Sequence, residues 1–158
     1  MRTDFETICD DVKTILAANL NTKLAAIDAD KDDGIELDTI SSSAYFFQDL
    51  NGVQVNYNPF VFYGLINVEG EGIYGATQSK MEMFIAVAME DNGENVSVSR
   101  RLFRYQRAVR EVLEEKFDSL PCGAKMRVQS QVPIELRLMN SSLPHRAIGL
   151  IVTLDLGM

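Results

Sequence analysis

The chain has 158 residues, of which 46% are hydrophobic and 24% charged, and its formal net charge is −8. These values indicate one globular domain over residues 1–158 that is long enough to bury a substantial core. No run of about 18 apolar residues is present, and the acidic N-terminus lacks the apolar segment of a signal peptide, so we expect a protein that acts in the cytoplasm or in an assembly built there.

The first predicted element is a helix over residues 4–27. Its apolar residues recur every three or four positions and form one stripe, and Thr3 with Glu6 has the pattern of a capping box. The helix is expected to end at an acidic stretch, residues 28–38, whose sequence DADKDDGIELD contains five aspartates and one glutamate.

The middle of the chain predicts a β-hairpin. Residues 60–68, FVFYGLINV, are apolar on both faces of a strand, and residues 81–89, MEMFIAVAM, place alternate apolar residues on one face. A long glycine-rich loop, residues 69–79, connects them. Before this hairpin, residues 38–58 mix turn signals with aromatic residues, and Val53 and Val55 could form a short strand.

A second helix is predicted over residues 98–117, with Ser97 or Ser99 as its cap. Its buried face is expected to contain the apolar residues at helical spacing, which are Val98, Leu102, Tyr105, Val109, Val112 and Leu113.

The last third alternates apolar and polar residues, which predicts two strands, from Met126 to Leu138 and from Ile148 to Leu156, joined by a turn at NSSLP, residues 140–144. Pro133 places the first of them at an edge or a bulge. The predicted fold class is α+β, with an antiparallel or mixed sheet of four or more strands and two main helices packed on one face.

Charge is distributed unevenly along the chain. Residues 1–96 hold 5 of the 15 basic residues and 17 of the 23 acidic ones, whereas residues 97–158 hold 10 and 6. This asymmetry predicts a surface with an acidic side and a basic side. Two copies could meet acidic side to basic side, which is one way to build a ring.

Five of the nine arginines fall in the second helix and are predicted to lie on its outward face: Arg100, Arg101, Arg104, Arg107 and Arg110. Three interpretations stay open. The first is a solvated face supported by the i,i+4 pairs Arg107–Glu111 and Arg110–Glu114. The second is salt bridges to the acidic surface of a neighbouring subunit, and the third is phosphate contact. The acidity of the whole chain disfavours a dedicated nucleic-acid binder.

The acidic stretch partly matches an EF-hand calcium loop that begins at Asp28. Asp30 and Asp32 fall at the third and fifth positions, but Asp33 stands where the loop needs glycine and Thr39 where it needs a bidentate glutamate. We therefore interpret the stretch as a solvated acidic turn, with weak calcium binding as the alternative. If the arginines pair between subunits, the acidic partners are the candidate interface residues Asp28, Asp30, Asp32 and Asp33.

Signals for catalysis or cofactor binding are weak. The segment GEGIYG, residues 70–75, has the spacing of a dinucleotide fingerprint, but a strand is predicted after it where a helix is required. The single histidine, His145, is expected in an exposed or half-buried turn. Cys9 and Cys122 are expected to be buried free thiols. We predict no catalytic, cofactor-binding or metal-binding residues, no cofactor and no enzymatic activity.

In layout the chain resembles the tail terminator, or tail completion, proteins of tailed bacteriophages. The features that carry the resemblance are the capped helix TDFETICDDVKTILAANL, the acidic linker, the strand pair FVFYGLINV and MEMFIAVAM, the arginine-rich helix SRRLFRYQRAVREVLEEKF, and the closing strands MRVQSQVPIELRL and HRAIGLIVTLDL. They cover nearly the whole chain. They match the family in order, size and charge.

The resemblance implies a structural virion protein without catalytic residues. Such a protein forms a hexameric ring between tail tube and neck, caps the tube and lets DNA pass through its lumen without sequence-specific binding. Its partners would be copies of itself and the tube and neck proteins, and no membrane. Two alternatives stay open: another head–tail connector or neck protein, and a soluble homo-oligomeric α+β ligand-binding domain whose site would be GEGIYG or the acidic stretch.

Overall fold

The computed structural model describes residues 5–47, 56–70, 79–120, 124–136 and 144–155. For residues 67–70, 79, 95 and 130–136 it describes the backbone only. The elements, in chain order, are α1 (Phe5–Lys31), β1 (Tyr45–Phe47), β2 (Phe60–Gly70), β3 (Ser79–Glu90), α2 (Asn95–Glu115), β4 (Lys125–Leu136) and β5 (His145–Asp155). The predicted α+β class with a mixed sheet is confirmed.

The five strands form one sheet in the order β1-β2-β3-β5-β4. The short strand β1 runs parallel to β2, and every other neighbouring pair is antiparallel. Both predicted hairpins are present, β2 with β3 and β4 with β5. β4 forms one edge of these five strands, which agrees with the position predicted from Pro133.

One face of the sheet and the two helices enclose the core. α2 packs across β3, β5 and β4, and α1 packs against α2. All six residues predicted for the buried face of α2 are buried. The same is true of the alternate residues of β3, which are Met81, Met83, Ile85, Val87 and Met89. Each such side chain withdraws apolar area from water and contributes about 1.5–3 kcal/mol to stability.

The opposite face of the sheet is apolar as well, as predicted for β2. Phe60 and Phe62 are buried there, and the ring of Phe62 lies edge-on to Phe84 with centroids 5.7 Å apart. His145 belongs to this face. It is the first residue of β5, is buried, and its ring lies 5.9 Å from that of Phe60. The predicted exposed or half-buried turn position of His145 is therefore wrong.

Three local predictions differ from the structure. α1 extends one turn beyond residue 27, to Lys31, so that Asp28 and Asp30 are helical. β1 was not predicted, because three residues are too few to show an alternating pattern. Neither Ser97 nor Ser99 caps α2: the capping position is Glu94, without a side-chain cap bond, and the Ser99 hydroxyl accepts a hydrogen bond from Arg146.

Several sequence features lie outside the described residues. They are Thr3 of the capping box, Val53 and Val55, residues 71–78 of the glycine-rich loop, Cys122, residues 140–143 of the final turn, and the predicted strand ends Leu138 and Leu156. Within the described part of the chain, neither helix is long and apolar enough to cross a membrane.

Candidate functional site

The five arginines of α2 do not share one face. Arg100 is exposed, Arg101, Arg107 and Arg110 are intermediate, and Arg104 is only 7% exposed. A helix completes one turn in 3.6 residues, so Arg100, Arg107 and Arg110 lie close together around its axis and Arg101 lies on a different side. Arg104 is buried because the segment after α1 passes over it. The predicted outward position is therefore wrong for Arg104.

Arg104 forms a bidentate ion pair with Asp33 of the acidic stretch. One guanidinium nitrogen, Nη1, donates to Asp33 Oδ1 at 3.0 Å and to the carbonyl oxygen of Ile35 at 3.2 Å, and the other, Nη2, donates to Asp33 Oδ2. These hydrogen bonds, with help from the Ile35 backbone N–H, lower the pKa of Asp33 to about 2. The planar fork of arginine suits this double contact, which lysine could not make.

Other polar side chains attach the connecting segment, which we define as residues 32–41, to the helices. Asp28 accepts the N–H of Leu37 at 3.0 Å. Asn21 accepts the N–H of Ile40 at 2.8 Å and donates to the carbonyl of the same residue at 3.0 Å. The Tyr105 hydroxyl accepts the N–H of Asp38 at 2.9 Å and donates to its carbonyl at 3.1 Å.

Part of the acidic stretch thus stabilises the fold. The turn after α1 uses left-handed backbone at Asp32, with φ 41°, and at Gly34, with φ 79°. The two carboxylates on either side of this turn, Asp28 and Asp33, bind the chain that follows. Asp33 is exposed, like Asp30 and Asp32, but its carboxylate binds Arg104. The interpretation as a merely solvated turn is therefore wrong for Asp28 and Asp33.

This geometry also differs from that of a calcium loop. Asp28 and Asp30 belong to α1, whereas an EF-hand supplies its ligands from a loop after the helix. Asp28 and Asp33 are already engaged by protein donors. Within the described residues, no group of three or more His, Cys, Asp or Glu side chains is placed to hold a metal ion.

Two of the arginines make the pairs predicted for a solvated helix face. Arg107 Nε lies 2.8 Å from Glu111 Oε1, and Arg110 Nε lies 4.0 Å from Glu114 Oε1. Arg107 also approaches Asp30 of the same chain, with 3.8 Å between Nη1 and Oδ2. Exposed pairs of this kind contribute about 0–1 kcal/mol each. Pairing of the arginines with a second subunit stays a prediction.

The sequence interpretation missed the apolar residues that lie beside these arginines. Val96 and Phe103 on α2 are 69% and 60% exposed, and Phe117, just beyond the helix, is 45% exposed. Along one side of the helix, at spacings of four and three, lie Val96, Arg100, Phe103, Arg107 and Arg110. Phe117 follows seven residues later, beyond the last residue of α2. We call this set the α2 stripe and define it as Val96, Arg100, Phe103, Arg107, Arg110 and Phe117. The sequence signal for the α2 stripe was Phe103, which does not fall at the helical spacing of the predicted buried residues.

Cys9 and the described part of GEGIYG, which the sequence analysis also considered, have structural positions. Cys9 is a buried free thiol, as predicted, and burial together with the Asp10 charge raises its pKa to about 11. The first glycine of GEGIYG, Gly70, ends β2, and the next described element is the strand β3, as predicted. Among the described residues, the element that follows is therefore not the helix whose N-terminus would hold a phosphate, and residues 71–75 of GEGIYG lie outside them.

Two open grooves lie beside α2. One, of about 240 Å³, is lined by the end of α2 and by β4, and the other, of about 200 Å³, lies between α1 and α2. Both are smaller than the 300–1,000 Å³ of typical ligand sites.

Compared with known protein families and with curated proteins, the sequence matches none. The function must therefore be inferred from the layout of the chain and from its surfaces.

Proposed function

We propose that this chain is a structural subunit of a tailed bacteriophage, which forms a hexameric ring at the head-proximal end of the tail. The ring caps the tail tube, joins it to the neck and lets DNA pass without sequence-specific binding. The subunit assembles in the host cytoplasm and stays in the virion. It carries out no catalysis, and its partners are its own copies and the tube and neck proteins.

The layout of the chain supports this proposal. The resemblance to tail terminator proteins rests on a helix, a strand pair, an arginine-rich helix and a closing strand pair. Those elements occur in that order, and the two strand pairs join in one sheet with α2 packed across three strands. A second subunit would then meet a rigid α+β layer, which is a suitable surface for repeated assembly.

The single observation that carries the proposal is the α2 stripe. On a regular helix it exposes a valine and a phenylalanine in line with three arginines, and a second phenylalanine, Phe117, is exposed just beyond the helix end. Aromatic residues and arginine are enriched in protein–protein interfaces, whereas exposed aromatic side chains on a solvated helix have no energetic benefit. A contiguous exposed patch of this composition is typical of a surface that another protein covers.

Purified protein tests the proposal. We expect light scattering to give a mass near six times the 17.7 kDa of one chain, and negative-stain electron microscopy to show rings with a central opening. Added to tail tubes of the phage, the ring should bind at one tube end. A stable monomer or dimer at high protein concentration, with no tube-end density, would contradict the proposal.

The same data distinguish the two alternatives. A different neck or connector protein would form rings that bind no tube end. A ligand-binding α+β domain would stay a small oligomer and would need a site, but the acidic stretch is engaged within the chain and the described grooves are small. For a calcium-binding variant of that alternative, calcium should raise the melting temperature and release heat on mixing.

A further inference from the structure

The α2 stripe lies on the side of the molecule where β4 forms an edge of the sheet. Phe117 and Glu114 line one groove together with Met126, Arg127 and Val128 of β4. Arg127 is exposed and adds another positive charge to this side. From Val96 to Arg110 the stripe extends about 20 Å along the helix.

A second surface, of opposite charge, lies at the β1 edge of the sheet. Phe47 of β1 is 45% exposed and its ring lies 5.5 Å from that of Tyr63 on β2. Asp10 of α1 follows Cys9, which is buried in the same core as Tyr63. Burial and then the Asp10 charge raise the pKa of the Tyr63 phenol to about 12. Glu6 precedes Asp10 by four residues and lies on the same side of α1. We call Glu6, Asp10 and Phe47 the β1 patch.

The two surfaces are complementary in two respects. Each combines an exposed aromatic side chain with charge. The β1 patch is negative, and the α2 stripe with Arg127 is net positive although Arg107 and Arg110 pair with Glu111 and Glu114. The two surfaces also differ in position, since α2 packs across β3, β5 and β4 and its end at Phe117 lies beside β4, whereas β1 is the other edge of the described strands. A contact between them would join copies head to tail, which is the arrangement that generates rings.

We propose that the α2 stripe of one copy binds the β1 patch of the next copy. The proposal rests on the proposed function and assigns the two faces of each subunit in the ring. Phe103 of one subunit packs near Phe47 of its neighbour, and Arg100 and Arg110 approach the neighbour's Glu6 and Asp10. A symmetric contact of two α2 stripes is the competing arrangement, and it would leave the β1 patch uncovered.

The test uses two variants that each disable one face. In the first, Arg100→Glu with Arg110→Glu reverses the α2 stripe. In the second, Glu6→Lys with Asp10→Lys reverses the β1 patch. All four residues are outside the buried core, so circular dichroism and thermal melting should report folded proteins. We expect each variant alone to self-associate at least about tenfold more weakly than the native chain.

Mixing the two variants is the sharpest measurement. In a head-to-tail contact, the first variant keeps an intact β1 patch and the second keeps an intact α2 stripe. One native contact can therefore form, and the two reversed faces also have opposite charges, because the glutamates of the first variant meet the lysines of the second. We expect light scattering of the mixture to show assemblies as large as those of the native chain, whereas a stripe-to-stripe contact would stop at a one-to-one heterodimer.

Matched controls reverse charges elsewhere on the exposed surface. Lys31→Glu and Glu36→Lys change the net charge in the same two directions and lie outside both surfaces. They should assemble like the native chain. As a variant that keeps charge, Phe103→Ser should weaken assembly and leave the melting temperature unchanged, since its side chain is already 60% exposed.

The outcomes separate this contact from the proposed function. Native rings with unaffected variants would overturn the contact and leave the function standing. Assembly through these two surfaces into an open filament would support the contact and overturn the ring. A native chain that stays monomeric and binds duplex DNA through Arg100 and Arg110 would overturn the contact, because the partner of the α2 stripe would then be phosphate.

Discussion

In the connecting segment, residues 32–41, charged and polar groups meet partners from the same chain, whereas on the α2 stripe they stand beside exposed aromatic rings. Both regions draw arginines from the same helix. Arg104 turns towards α1 and binds Asp33, and Arg100 four residues earlier is exposed. An arginine-rich segment can therefore serve the fold and an interface at once. Since Arg100 and Arg104 lie on the same side of the helix, the path of the connecting segment decides which arginine does which.

The comparison predicts that changes in the anchors of the connecting segment reduce stability, whereas changes in the α2 stripe affect assembly. The largest loss is expected for Asn21→Ala. It removes the side-chain amide that binds both the N–H and the carbonyl oxygen of Ile40, a residue that is only 2% exposed. Two unsatisfied groups should lower the free energy of unfolding by about 2–4 kcal/mol.

Chemical denaturation of this variant measures the loss, and Asn19→Ala is the matched control. Asn19 also lies on α1 and donates to a main-chain oxygen, that of Ile15 one turn earlier. Since a helical carbonyl already accepts a main-chain bond, the control should change the free energy of unfolding by no more than about 0.5 kcal/mol. Equal losses for both variants would mean that Asn21 does not anchor the connecting segment.

A smaller loss is expected for Tyr105→Phe. This change removes the hydroxyl that binds both the N–H and the carbonyl of Asp38, but it keeps the buried ring. Because Asp38 is exposed, water can replace part of the lost bonding, and we expect about 1 kcal/mol. Hydrogen exchange at the Asp38 amide should rise in the variant. Tyr57→Phe, at an exposed tyrosine, should leave both stability and exchange unchanged.

Acid should release the connecting segment through Asp33. Its pKa is about 2 in the folded chain against an ordinary 3.8, so the ionised form is favoured by folding. The stabilisation is present above pH 4 and is lost as the pH falls towards 2. The melting temperature of Asp33→Asn should therefore lie below that of the native chain at pH 5, and the difference should close by pH 2. A difference that is constant with pH would exclude this ion pair as its cause.

The main features of the fold follow from sequence patterns, because they depend on burial along one element at a time. The stripe of α1, the six buried residues of α2 and the alternating residues of β3 each repeat with the period of their element. The role of Arg104 depends on where the chain passes after α1, which no local period specifies. The three-residue strand β1 likewise exists only because β2 is beside it.

The residue types of the candidate site could be predicted from the sequence, but the pairs that these residues form could not. Charge counting found both the arginines and the acidic stretch, and their opposite signs suggested pairing. Distance along the chain could not show that Asp33 and Arg104, 71 residues apart, meet in one subunit. Nor could it show that Phe103 is left exposed, since an aromatic residue in a helix is more often buried.

The smallest effect on the fold is expected for Asp32→Lys, which separates the two regions most directly. Asp32 belongs to the acidic stretch but is exposed, and its neighbours Asp28 and Asp33 carry the described anchoring bonds. The change should lower the free energy of unfolding by no more than about 0.5–1 kcal/mol, since lysine adopts the left-handed backbone of this position less readily than aspartate. If the acidic stretch also contacts a second subunit, Asp32→Lys should impair assembly as strongly as reversal of Arg100.

Because the β1 patch supplies the acidic groups of the contact that we propose, we expect Asp32→Lys to assemble like the native chain. Light scattering of Asp32→Lys and Arg100→Glu, measured at the same concentration and ionic strength, decides between these expectations. Impaired assembly of both would move the acidic partner from Glu6 and Asp10 to the turn after α1. Reversal of Asp30, Asp32 and Asp33 together would be less informative, because loss of the Asp33 ion pair would weaken the fold and the assembly together.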